Sequence, residues 1–463
     1  MKAKAIQTVT VVTLVLLAGC FGFFGSDDGT GVGDDTGPFA DPATDRIGWE
    51  NGYWYNESID VDQSDGISEA EQEAFLARSM ARVEVLRNLE FKEPVTVSVI
   101  TRDQQRANSA NGSTDSESKN RWNDQVWEAL FISDEQKNIE DEFGSVTGSA
   151  VLGYYAAGTN KVVMVSDDPD RLVINNATFV HELTHALQDQ HFDIKRVQNQ
   201  AKTQDQQLAA NGLIEGEADY IEALYLERCT SGEWSCVKTP GTQSSGGSSD
   251  MNLGILVTIF QPYSDGPWYV HQLVQDGGWE RVNKLWVNPP QTSSALIHPG
   301  REFTPVEVTI EDRASNGWQT FEHGTDTVGE ASIYSMFWYQ SRQYNISTIN
   351  TSTFSTPSGI YDRFDYRSPP SAGWVGDAVL PYQNSDGEYG HVFVTEWATP
   401  ADATEFRQAY QTLLAGHGGS EQSPGVWVIP DGGFADAFRI HQEGTTVTIV
   451  NGPTVDDLDD IRP

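Results

Sequence analysis

The chain has 463 residues, with 67 Asp and Glu against 29 Lys and Arg and a formal net charge of −38. That length suits two domains, or one large domain with tails, and can bury a core without disulfide staples. So large a carboxylate excess, with no basic stripe, argues against a nucleic-acid partner, while 13 Trp, 16 Tyr and 20 Phe argue against global disorder. Such a coat repels itself in dilute buffer and is screened by salt, so a halophilic source is expected.

The first segment reads as a processing signal. Lys2 and Lys4 precede an apolar run from Val9 to Leu17, which ends in Leu17-Ala18-Gly19-Cys20. The run is too short for a confident transmembrane helix, which needs ~20 apolar residues. Its ending resembles the lipobox of secreted lipoproteins, so residues 1–19 are expected to be a signal peptide and Cys20 the lipid-bearing residue. Residues 20–45, rich in Gly, Asp, Thr and Pro, then form a disordered tether. The expected location is the extracellular face of the cell membrane, held through the lipid on Cys20. Asn-x-Ser/Thr triplets at Asn56, Asn111, Asn176, Asn345 and Asn350 are compatible with an exterior location.

A capping box at Ser68–Glu71 opens a helix through about Leu89, and Val95–Thr101 alternates as a strand. Residues 108–120 read as a loop and 121–131 as a short amphipathic helix. Val151–Tyr155 and Lys161–Val165 flank a turn and predict a hairpin. Helices are expected over 178–190 and 208–228, followed by Cys229 and Cys236, which outside the cell would form a small disulfide loop. After a Gly/Ser loop over 239–250 come helices over 253–260 and around 267–275, a Pro289-Pro290 turn and a helix around 328–341. Residues 345–360, rich in Ser, Thr and Asn, are taken as a linker. The end of the chain reads strand (390–396), helix (400–415), strand (438–442), strand (445–451), a small α+β domain over 361–463.

The stretch that carries chemistry is Phe179-Val180-His181-Glu182-Leu183-Thr184-His185. On a helix of ~3.6 residues per turn His181 and His185 share one face, from which both imidazoles reach a single ion at ~2.0–2.1 Å. Glu182 is adjacent and can act on a water without being a ligand. Glu215-Gly216-Glu217-Ala218-Asp219 follows on a second helix. Glu215 and Asp219 are i, i+4 and can both face the first helix, Glu215 as third ligand and Asp219 as hydrogen-bond partner of a ligand histidine. Glu217 is the rival third ligand, but stands ~160° further round the helix. Gly216 is expected to let the two helices approach. Asp189 either bonds near the helix end or is solvated, and His191 reads as a surface residue.

His-Glu-Leu-Thr-His-Ala followed by Glu-x-x-x-Asp resembles the active site of the gluzincins, the thermolysin-like zinc metallopeptidases. Within an acidic, haloarchaeal-like surface lipoprotein, the resemblance implies a zincin-like α+β core spanning 46–344 and one Zn2+ per chain. It makes His181, His185 and Glu215 the metal ligands, Glu182 the general base and Asp219 the partner of a ligand histidine. The hairpin would supply an edge strand along which a peptide or protein substrate adds. His298, in Ile297-His298-Pro299, is expected as the donor to the oxyanion, with Tyr154 and Tyr155 as weaker candidates. The downstream Gly-Gly-Trp-Glu, Pro-Pro and His-Pro segments resemble prokaryotic surface proteins that carry the same motif. An inactive zincin-like scaffold, serving in binding or envelope architecture, is the alternative reading.

Overall fold

The structure, a computed structural model, describes residues 41–463 save 106, 108–115, 148–150, 167, 169–170, 240–250 and 302–303. The expected signal peptide, Cys20, nearly all of the tether and the triplet at Asn111 lie outside the described residues, as does the Gly/Ser loop beyond Thr239. The class is α+β, and the chain divides into two compact units interleaved along the sequence. The first takes Met1–Gly112, Thr147–Lys195 and Ala218–Gly246; the second takes Ser113–Val146, Arg196–Glu217 and Gly247–Pro463.

In the first unit, Lys161–Ser166 is the central strand of three, parallel to Thr96–Thr101 and antiparallel to Gly153–Ala156. Val162 to Val165 are buried, as a strand covered on both faces requires. Gly153–Ala156 is a sheet edge, and the helix Asn176–Phe192 packs against it. The helix Glu69–Arg87 starts at the capping box on Ser68 and Glu71, ends at Asn88 in the left-handed region, and stacks Phe75 on Phe179 at 5.1 Å. Its fully buried Arg82 donates to Tyr55 O at 2.7 Å and Ser235 O at 2.9 Å, and lies over Trp234. Those contacts fix the loop closed by the Cys229–Cys236 disulfide.

The second unit is built on a seven-stranded antiparallel sheet. Its order is Gln319–Thr320, Trp374–Gln383, Tyr389–Trp397, Thr446–Gly452, Ala437–Glu443, Val426–Val428, Ser420–Ser423. The helix Pro400–Gly416 opens on a capping box, Thr399 with Asp402, and buries Phe406, Tyr410 and Leu413. Those residues join one core with Trp122 and Val126 of the helix Glu117–Ala129, with Phe337 of the helix Gly329–Gln343, and with Phe393 and Ile449 of the sheet. A smaller cluster holds Leu380, Val392 and Val450 with Leu458 and Ile461 of the terminal helix Asp457–Ile461.

Several expectations are corrected here. The sheet has no separate C-terminal domain beginning at 361, because its core is completed by residues from 122 onward. Residues 345–360 are mostly exposed but anchored at two points: Ile346 is buried, and Phe354 of a 3-10 turn, Thr351–Ser355, stacks on Phe364 at 4.4 Å. The helices expected over 253–260 and 267–275 are one helix, which starts at Leu253 and runs through the buried Pro262 and Pro267 to a break at Gly277 and Gly278, where the backbone is not helical; a second helix follows and completes the span Leu253–Val287. Burial of both proline turns outweighs the lost backbone bonds that make proline a helix breaker in isolation. The strand Trp374–Gln383 was not expected, since Gly376 and Pro381 interrupt its pattern. The helix Ile139–Thr147 was likewise missed.

Candidate metal centre

The centre is built on the helix Asn176–Phe192. Asn175 caps it, Oδ1 accepting from the N–H groups of Ala177 at 2.9 Å and Thr178 at 3.2 Å. Positions 181, 185 and 188 recur one turn apart, so His181, His185 and Gln188 share a face. All three are buried to 2 % exposure or less, and Glu182, between them in sequence, is fully buried. The next residues hold the helix in place. Asp189 accepts from Tyr155 Oη at 2.9 Å and Gly158 N at 2.6 Å, and Gln190 accepts from Lys92 N at 2.7 Å and donates to Glu93 O at 2.9 Å. Burial, reinforced by the Asp189 charge, raises the Tyr155 phenol well above its usual range, so it stays protonated and donates. Tyr155 therefore works as a clamp between hairpin and helix. His191 bonds the Glu90 carbonyl at 2.7 Å, half-buried rather than at the surface.

The two imidazoles are oriented from behind. His181 Nδ1 lies 2.9 Å from Asp219 Oδ1 and 3.6 Å from Glu222 Oε2. A proton on that nitrogen would face a carboxylate oxygen. His185 Nδ1 lies 2.8 Å from Gln188 Oε1, an acceptor for a proton on that nitrogen. The Nε2 atoms lie 3.0 Å apart, the rings crossing at 83°. With both protons on Nδ1 the two Nε2 lone pairs would face a shared cation, whereas a proton on one Nε2 would make the pair a hydrogen bond. A tetrahedral ion with bonds of ~2.0–2.1 Å would hold two nitrogens ~3.3 Å apart, close to the spacing found.

Glu215 and Asp219 come from one continuous helix, Gln204–Thr230. The carboxylate of Glu215 completes a group with His181 and His185 in which the ligand atoms lie within 4.8 Å of one another. His181, Asp219 and Glu222 form a second such group on the Nδ1 side. The first fits a tetrahedral ion better, having two imidazoles and one carboxylate, whereas the second has two carboxylates able to orient one ring. Gln188 and Glu222 were missed as orienting residues; the signal was their spacing, i+3 from His185 and i+3 from Asp219.

Other expected residues lie elsewhere. Glu217 is fully buried and accepts from Trp286 Nε1 at 2.9 Å, so it is not part of the ligand group. Gly216 does not serve the approach of the histidine helix: a β-carbon there would collide with the backbone of Gly266 in Leu253–Val287. His298, in the second unit, bonds Glu330 Oε1 at 2.9 Å, and Ser294 Oγ donates to the other oxygen at 2.6 Å. Tyr154 is half-buried on the edge strand. Asn176 is buried and donates to the Val237 carbonyl, which removes it as a glycan acceptor in this fold, while Asn56, Asn345 and Asn350 are exposed.

Residues 319–462 match the model of a family described as a domain of unknown function (DUF8575). The match covers the seven-stranded sheet and the helices Gly329–Gln343, Pro400–Gly416 and Asp457–Ile461, and leaves the helix Glu117–Ala129 and the candidate metal-centre residues outside it. No curated protein and no solved structure matches the chain.

Proposed function

We propose that the chain is a zinc metallopeptidase of the gluzincin type, with His181, His185 and Glu215 holding one Zn2+ and a zincin-like core around them. The observation that carries the reading is the pair of Nε2 atoms 3.0 Å apart, each ring oriented through its Nδ1. Two imidazoles and a carboxylate are a donor set that suits catalytic zinc. When bound, the metal supplies Lewis acidity toward a carbonyl oxygen and toward water. Glu182 is assigned the proton transfer: it takes a proton from the attacking water and passes it to the leaving amine. Asp219, with Glu222 behind it, orients the His181 ring from its Nδ1 side, and Gln188 does so for His185. The edge strand Gly153–Ala156 is the element along which an extended peptide would add. His298 is engaged with Glu330, and the oxyanion role is not carried further.

Anchoring through Cys20 on the outer face of the membrane belongs to the same proposal, supported by the lipobox-like ending and by a disulfide that suits an oxidising exterior. Among the described residues no helix is long and apolar enough to cross a membrane.

One observation favours a second reading, a zinc-holding scaffold without catalysis: His181, Glu182, His185 and Glu215 are all 2 % exposed or less. The two separate in one experiment. Protein purified in high salt is assayed for zinc and incubated with an unbiased peptide library, wild type beside Glu182→Gln. One zinc per chain, with cleavage lost in Glu182→Gln, is expected. Zinc without cleavage in either protein selects the scaffold, and a chain that binds no zinc sinks both readings.

A further inference from the structure

A second group of oxygen ligands lies in the second unit, remote in sequence from the histidines. Glu128 stands in the last turn of Glu117–Ala129, Glu135 in the turn that follows, and Asp436 just before the strand Ala437–Glu443. Their carboxylate oxygens lie within 4.8 Å of one another. Two oxygens bound ~2.4 Å from one calcium ion are at most ~4.8 Å apart, so the three can share an ion. Glu128 and Asp436 are each 4 % exposed, and Glu135 is exposed at the rim.

The groups between them point to a cation. Gln125 Nε2 donates to Glu128 Oε2 at 2.6 Å and Asn451 Nδ2 donates to Asp436 Oδ2 at 2.8 Å, so both amide heads sit at the cluster. The other atom of each head, Gln125 Oε1 and Asn451 Oδ1, is buried with no hydrogen-bond partner, as is the hydroxyl of Tyr410. That hydroxyl interacts electrostatically with both Glu128 and Asp436. Unsatisfied buried acceptors are rare in native proteins and call for an explanation such as a bound ion. The charges acting on Glu128 are those of Asp436, Glu135 and Asp134, all negative. Burial first, then these neighbours, hold Glu128 well above the carboxylate range; burial first, then Glu135, pushes Asp436 up to about 8.

We propose that Glu128, Glu135 and Asp436, with the side-chain oxygens of Gln125, Asn451 and Tyr410, form a calcium site that ties the helix Glu117–Ala129 to the sheet. Every donor is an oxygen, with no imidazole or thiolate, and the number of donors suits the six to eight that calcium takes. A hard divalent ion supplies the missing counter-charge and satisfies the three open acceptors together. The site is independent of the zinc reading, since it shares no residue with it.

The test uses the full chain in 2 M NaCl, where the acidic coat is screened. Terbium luminescence, excited through aromatic residues and competed by calcium, reads occupancy; thermal midpoints with and without calcium read the consequence. One saturable site is expected, displaced by calcium and not by zinc, with a midpoint that rises when calcium is added. Glu135→Gln, at the exposed rim, should weaken calcium at least tenfold while leaving the calcium-free midpoint in place. Tyr410→Phe should weaken it by a smaller factor. Unsaturable weak binding, or Glu135→Gln that binds as tightly as wild type, overturns the site and leaves a protonated carboxyl cluster as the explanation.

Discussion

At the scale of single residues, the decisive contacts lie behind the imidazoles rather than in front of them. To hold an ion through Nε2, His181 must carry its proton on Nδ1, a state that a carboxylate at 2.9 Å favours over a proton on Nε2 alone. Asp219→Asn keeps the shape and removes the charge, so it should weaken zinc by ~10–100-fold, the range typical of such partners. The metal-free thermal midpoint should be little changed. Glu217→Gln is the control, because Glu217 faces Trp286 and not the histidines. Competition titrations against a zinc chelator measure both. If the two variants lose zinc equally, Glu217 belongs to the ligand set and the assignment of Glu215 fails.

At the scale of elements, periodicity made part of the centre readable in advance. The one-turn spacings 181/185 and 215/219 follow from helix geometry alone, and the structure brings those four residues together. What the pattern could not show is where a residue without a side chain is needed. Gly216 stands between the two informative carboxylates and invited a role beside the histidines, yet its space is taken by Gly266, about 50 positions later in a helix that sequence splits at its prolines. Residues 345–360 misled for a related reason. Their Ser, Thr and Asn content signals loop, while one aromatic, Phe354, packs among Tyr334, Trp338 and Phe364. Such contacts depend on partners far along the chain. The crossing at Gly216 gives a prediction with a paired sign. Gly216→Ala forces a clash between two backbones and should cost ~1–3 kcal/mol or more. Gly144→Ala, at an exposed position of the helix Ile139–Thr147 with open space around it, should be neutral or stabilise by up to ~1 kcal/mol. Denaturant midpoints for both decide it, and equal effects would discount the close approach.

At the scale of the whole molecule, the carboxylates fall into two populations that respond to different conditions. The coat, which dominates the net charge of −38, is screened by salt. A buried minority behaves otherwise. Burial pushes Asp205 up to about 8, helped by Asp377 and Glu330, and raises Asp377 to about 7 and Glu50 to about 7. These groups keep their protons in the native state and lose them when the chain unfolds. Their contribution to stability is therefore complete at acid pH and is lost as pH rises through 7 and 8, by up to ~1.4 kcal/mol per pH unit for each group. His391 acts in the opposite sense: burial lowers it to about 3, so its contribution is complete above pH 6.5 and is lost only on acidification. Between pH 6.5 and 8.5 His391 contributes no loss, while the buried acids with raised values lose stability as pH rises. Raising NaCl from 0.1 to 2 M in metal-free buffer should lift the thermal midpoint at every pH by screening the coat. The fall from pH 6.5 to 8.5 should survive at both salt concentrations, because buried charges are poorly screened. A midpoint that is flat with pH, or a slope that vanishes in 2 M NaCl, would show that surface repulsion alone governs stability.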